Sequence, residues 1–138
     1  MANLLIQPLL NKIITELQTP ATDGILLVGS YAKGTARSNS DIDLTHFVRD
    51  SKDIHSRSFL RDKQVISLLV APIPHRQDIF DRPESAIFAL PMWRTARILL
   101  DERGMLADLQ HYAQEYNWSR VQPIANHRAS ELIHLKAE

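Results

Sequence analysis

The run Gly29-Ser30-Tyr31-Ala32-Lys33-Gly34-Thr35-Ala36-Arg37-Ser38-Asn39-Ser40-Asp41-Ile42-Asp43-Leu44 decides how this chain is read. Just before it stands Ile25-Leu26-Leu27-Val28, a short continuous apolar run of the kind that forms a strand buried on both faces. Gly29-Ser30 closes that strand, and Ser30 reads as the N-cap of a brief helix ending near Lys33. From Asp41 to Val48 the chain then begins with strict alternation, the period of a second strand. Asp41 and Asp43, two residues apart, point to one face, and Ile42 and Leu44 point to the core. Two carboxylates this close raise each other's pKa unless a cation lies between them. A divalent ion with oxygen ligands removes the conflict; Mg²⁺ is commonly held by one or two carboxylates together with substrate phosphates. The Gly29-Ser30 turn offers backbone N–H groups and a hydroxyl to such a phosphate.

Outward from this segment the chain alternates helix and strand. Leu9, Leu10, Ile13, Ile14 and Leu17 recur at helical spacing, with Pro8 in the first turn. Thr19-Pro20 and Asp23-Gly24 end that helix in a turn. The charged, polar stretch 49–63 reads as an exposed connection with room for a turn of helix, and Val65-Ile66-Ser67-Leu68-Leu69-Val70 as a third strand ended by Pro72 and Pro74. Ile87–Leu100 reads as a helix started or kinked by Pro91 and stopped by Gly104. Met105–Tyr116 and Pro123–Ala137 read as two more helices. The fold expected is α/β, a mixed sheet with flanking helices and a helical C-terminal segment. One domain is expected over residues 1–118, with a C-terminal helix over 119–138 packing on it or on a partner.

Composition narrows the function. Lys plus Arg and Asp plus Glu are 16 each, so no overall charge draws the chain to nucleic acid or an anionic membrane. The absence of cysteine excludes disulfides, thiolate metal sites and a cysteine nucleophile. The opening Met1–Pro8 run lacks a basic n-region, and no stretch nears the roughly 20 apolar residues of a membrane span. A cytoplasmic domain is expected.

The deciding run resembles the signature of the nucleotidyltransferase superfamily, the polymerase-beta-like proteins. The likeness is greatest to the minimal nucleotidyltransferases, which read Gly-Ser-x-Ala-x-Gly-x-Ala-x-x-x-Ser-Asp-Ile-Asp-Leu. Gly29, Ser30, Ala32, Gly34, Ala36, Ser40, Asp41, Ile42, Asp43 and Leu44 fit that pattern, and the likeness extends over residues 8–72. The resemblance implies a small mixed sheet flanked by helices. It also implies metal-dependent transfer of a nucleoside monophosphate from a nucleoside triphosphate, with ATP the expected one, to a hydroxyl acceptor. Asp41 and Asp43 become catalytic residues and ligands of Mg²⁺ or Mn²⁺; Gly29, Ser30, Lys33, Arg37 and Ser40 become nucleotide-binding residues. The acceptor is a protein side chain, on a helical partner or a C-terminal domain as in the antitoxins of the minimal class, or a small molecule. The alternative is a module that binds nucleotide or a partner with little catalysis.

One position departs from the family pattern, in which a later strand brings a third carboxylate. Here that strand carries Ser67, a weak metal ligand and no base at neutral pH. Asp62, Asp78 and Asp81 are the other acids able to fill the place. Taken singly, Lys33 and Arg37 are as well explained as solvent-facing charges, the six histidines show no metal-ligand spacing, and Trp93 and Trp118 read as packing residues. Arg120 and His127 have the spacing of the Arg-spacer-His-x-Tyr motif of partner ribonuclease-type toxins, but Ala129 stands in the tyrosine's place and the match reads as chance.

Overall fold

Buried apolar residues on both sides of the central strands divide one sheet into two faces, and the helices sort themselves accordingly. The computed structural model describes residues 2–116. The elements are α1 (Ala2–Leu17), β1 (Thr22–Val28), α2 (Gly29–Lys33), β2 (Ile42–Val48), β3 (His55–Arg61), β4 (Gln64–Ala71), α3 (Arg76–Ile79), α4 (Pro83–Thr95), β5 (Arg97–Asp101) and α5 (Met105–Glu115). The strands lie in the order β3-β4-β2-β1-β5. β2 and β4 run parallel, and every other neighbouring pair is antiparallel. This is the mixed sheet with flanking helices that the sequence led us to expect. The C-terminal reading, covering 119–138 with Trp118, Arg120, His127 and Ala129, lies outside the described residues.

On one face Ile25, Leu27, Ile42, Leu44, Ile66 and Leu68 pack against Leu9, Leu10 and Ile13 of α1 and Tyr31 of α2. On the other, Leu26 and Phe47 pack against Leu90 and Trp93 of α4 and Leu106, Leu109 and Ala113 of α5. Trp93 is buried and stacks on Phe47 with ring centroids 5.9 Å apart, the packing role read for it. His46 is buried too, its Nε2 bonded to the Thr22 hydroxyl at 2.8 Å, and burial lowers its pKa from the ordinary histidine value.

Five local readings are corrected. Helix α1 begins at Ala2 and continues through Pro8, which sits on its exposed side where water can serve the carbonyl left without a donor. Asp23-Gly24 is not a turn but part of β1, where a Cβ on Gly24 would strike Leu106 and the Leu100 carbonyl; the glycine admits close packing. The stretch 49–63 is not a bare connection. It contains β3, joined to β4 by a two-residue turn in which Asp62 (φ 51°) and Lys63 (φ 66°) both lie in the left-handed region. Such turns match the twist of a hairpin and are usually marked by Asn or Gly, neither of which is present here. The helix read over 87–100 starts at Pro83 and stops at Thr95, and Arg97–Asp101 forms β5 against β1. Gly104 precedes α5 as its N-cap residue instead of stopping a helix, and the Asp101 carboxylate accepts the Leu106 and Ala107 N–H groups at 3.1 and 2.9 Å.

Candidate functional site

Asp43 sits where three strands meet. Its neighbours in register are Val28, the last residue of β1, and Ser67 of β4, with Ser58 of β3 next beyond. Its backbone is held by the flanking core residues Ile42 and Leu44, both almost fully buried. That burial aims Asp43 at the opposite face, the one covered by α4 and α5 over its β1–β5 half. Burial, and secondarily the Asp41 charge, raises the pKa of the Asp43 carboxyl. Asp41 is exposed just before β2 and accepts a hydrogen bond from the Ser67 hydroxyl at 3.3 Å.

The turn after β1 closes the site from the other side. Gly29 has φ +75°, and a Cβ there would collide with Asp43 Oδ2. Only glycine meets both demands, and its absent side chain lets the Gly29-Ser30 backbone approach the carboxylate. Helix α2 is anchored by Tyr31, buried in the core with its hydroxyl accepting from Gln64 Nε2 at 2.9 Å. Gly34 ends it at φ 77° with its N–H bonded to the Ser30 carbonyl, which also accepts the Thr35 N–H at 2.9 Å. Ser30 is therefore in the first turn of α2 and not the N-cap, a place held by Val28. Its side chain is half-exposed beside Asp43's strand end.

The remaining nucleotide-binding candidates occupy the loop between α2 and β2. Ser40 accepts the Arg37 N–H on its hydroxyl at 2.8 Å and returns its own N–H to the Arg37 carbonyl at 3.0 Å. It shapes the loop that delivers Asp41, and its O–H stays able to donate. Lys33 and Arg37 are exposed, and among the described residues neither is in an ion pair.

The two carboxylates on one face fit a divalent cation, because the charge that burial and Asp41 oppose on Asp43 is the charge a cation would favour. They form a pair and not a triad: among the described residues no group of three or more acids, histidines or cysteines is placed to hold a metal. Asp62 lies in the hairpin turn, 3.5 Å from Lys12, and Asp81 accepts the Tyr112 hydroxyl at 3.4 Å. Asp78 lies in α3. Ser67 occupies the third position, facing Asp41 and Asp43 as its place in the strand predicts.

Beside the pair runs a cleft of about 320 Å³ lined by Asp43, Thr45, Ser56, Arg57, Ser58, Ser67 and Leu69 among others. Its β3 serines escape a sequence reading that takes 49–63 for a loop; the alternation of Ser56, Ser58 and Leu60 about Phe59 was the signal available.

Residues 10–103 match the nucleotidyltransferase domain family. This chain belongs to that family. Its fold also resembles the crystal structure of a nucleotidyltransferase-like protein from Exiguobacterium sibiricum 255-15, with a TM-score of 0.55 and 18% sequence identity. That likeness covers 78% of this chain and 38% of the other, so the domain spans well under half of the longer protein. No curated protein matches the chain. Among the described residues no helix is long and apolar enough to cross a membrane.

Proposed function

We propose that this domain transfers a nucleoside monophosphate from a nucleoside triphosphate, with ATP the expected donor, to a hydroxyl acceptor. The observation that supports this reading is the close approach of Gly29 to Asp43, which leaves no side chain between that carboxylate and the turn we assign to the phosphates. Asp41 and Asp43 would hold Mg²⁺ or Mn²⁺. When bound, such an ion neutralises charge developing on the phosphoryl oxygens and aligns the attacking and leaving groups. The Ser30 hydroxyl and the neighbouring N–H groups hold the triphosphate tail, with Lys33, Arg37 and Ser40 adding charge and a donor from the loop. The acceptor oxygen bonds to the α-phosphorus as the bond to the pyrophosphate oxygen breaks, and the acceptor proton passes to solvent or to a base on the acceptor's side.

A second reading, a nucleotide-binding or partner-binding module with weak transfer, draws on Ser67 standing where an acid would complete a triad. Incubation with each labelled nucleoside triphosphate, Mg²⁺ and candidate acceptors separates the two. Label on a hydroxyl acceptor, helical partner proteins included, supports the enzyme; nucleotide binding with no label on any acceptor supports the module.

Ser30 gives a finer test. If it binds the phosphate tail, Ser30→Ala should weaken ATP and GTP by similar factors. Each loss should be about one charge-assisted hydrogen bond, ~1.5–3 kcal/mol. Calorimetric titration of both nucleotides checks this, and a loss confined to one base would move Ser30 to base recognition.

A further inference from the structure

The half of the sheet face that α4 and α5 leave open changes character along the strands. β2 and β4 run parallel, so their face-sharing residues pass the site in step: Asp43 with Ser67, then Thr45 with Leu69, then Phe47 with Ala71. The first pair is polar and belongs to the cleft already described. The last pair belongs to a second pocket of about 220 Å³, completed by Ile79, Ala89, Met92 and Trp93 and almost wholly apolar. Thr45 and Leu69 line both, so the pockets are two ends of one trough. At about 3.3 Å per residue the apolar end begins ~7 Å from Asp43 and reaches ~13 Å. Leu69 and Ile54, respectively 38% and 69% exposed, add apolar side chains along it.

We infer that this trough is an acceptor subsite, and that the acceptor is a small amphipathic alcohol whose hydroxyl and apolar group lie roughly 7–13 Å apart. The inference rests on the proposed transfer reaction and specifies its substrate class. The hydroxyl end lies at the carboxylate pair, the spacer crosses Thr45 and Leu69, and the apolar end enters beneath Trp93. A nucleobase is a poorer occupant, because the pocket offers almost no polar groups to pair its ring nitrogens and exocyclic substituents. An aromatic ring that itself bears the hydroxyl is too short to span from Asp43 to Phe47.

The probe is a series of linear primary alcohols from ethanol to octanol, with 1,8-octanediol as the polar-ended control, given to the full chain with labelled ATP and Mg²⁺. Once the chain spans ~7 Å, each further methylene should raise kcat/KM about fourfold, the effect of burying one CH₂. The diol should lose most of that gain. Binding is read separately in Trp118→Phe, which leaves Trp93 the sole tryptophan: octanol should change its fluorescence saturably, with or without nucleotide. Ala89→Leu, which fills the pocket, should weaken octanol in the fluorescence titration at least tenfold and flatten the octanol-to-ethanol transfer ratio. Its thermal midpoint verifies folding, and the chain-length series in the parent protein stands whether or not the variant folds. Transfer that is equal along the series, or fluorescence indifferent to octanol, overturns the subsite and leaves the proposed transfer standing. ATP that competes with octanol for the Trp93 signal assigns the pocket to the base and overturns it too. Saturable octanol binding with no transfer to any hydroxyl overturns the reaction, and the acceptor role with it.

Discussion

Asp41→Asn combined with Asp43→Asn is expected to abolish the stabilisation that Mg²⁺ and a nucleoside triphosphate give the protein, and to lower transfer by roughly a thousandfold, the several kcal/mol supplied by metal-assisted charge stabilisation. The gain in thermal midpoint with metal and nucleotide arises by mass action on the native state alone, so removing both ligands removes it. The fold should survive. Neither carboxylate belongs to the apolar clusters, and Ile42 and Leu44 still direct the strand. Without metal the double variant should be at least as stable as the parent at neutral pH. Asp43 has a raised pKa in the folded state, so its favourable contribution is complete below the ordinary carboxylate value of 3.8 and is lost as pH rises through the folded value. Asparagine cannot lose it, so the difference between the two proteins should shrink on acidification. Scanning calorimetry with and without Mg²⁺ and ATP provides the check. An equal nucleotide-dependent shift in parent and variant would remove the site from these residues.

Ser67→Asp is expected to work in the opposite direction. Ser67 is the register partner of Asp43, and its hydroxyl already reaches Asp41 Oδ2 at 3.3 Å, so a carboxylate there would complete an acidic triad. With Mg²⁺ or Mn²⁺ present, the triad should hold a second ion and take the acceptor's proton. General-base assistance typically contributes about 10²–10⁴-fold, so transfer to a hydroxyl or to water should rise at least ~10-fold over the parent. Without metal, three clustered acids should repel and the variant should melt below the parent at neutral pH. Repulsion raises the folded-state pKa values of the acids. The deficit should therefore fade as pH falls below about 4, where the carboxyls become protonated in both states, and grow as pH rises through the folded values. Unchanged transfer together with an unchanged metal-free midpoint at pH 7 would show that position 67 does not share the field of the pair.

The site was legible where its logic is local. Alternation alone put Asp41 and Asp43 on one face and Ile42 and Leu44 on the other, and the buried pair confirms it. The apolar run Ile25–Val28 read as a strand without help, and Gly29-Ser30 read as the turn after it. Placing Ser67 before the pair also followed from alternation within one strand, once β4 lay beside β2. Each of these is a statement about a few residues whose side-chain directions follow from the backbone period.

Other features were settled only by contacts between distant parts of the chain. β3 carries Phe59 as its one residue packed against the main core, and its hairpin turn is made by Asp62 and Lys63 in a conformation that neither residue advertises. Ile98-Leu99-Leu100 follows a helix directly and is apolar enough to continue it; pairing with β1 makes it a strand. Gly24 looked like a turn residue because the Leu106 side chain and Leu100 carbonyl that exclude a Cβ lie some eighty residues away. Gly29 matched a motif, but the reason it must be glycine is Asp43 Oδ2 across the strand gap. The trough from Asp43 to Trp93 is drawn from four strands and two helices. Backbone period determines which way a side chain points along its own strand, and that much the amino-acid order of this protein states outright. Which residues face each other across strands depends on the register and helix placement that bury the most apolar surface together, and that is decided only when the whole chain packs.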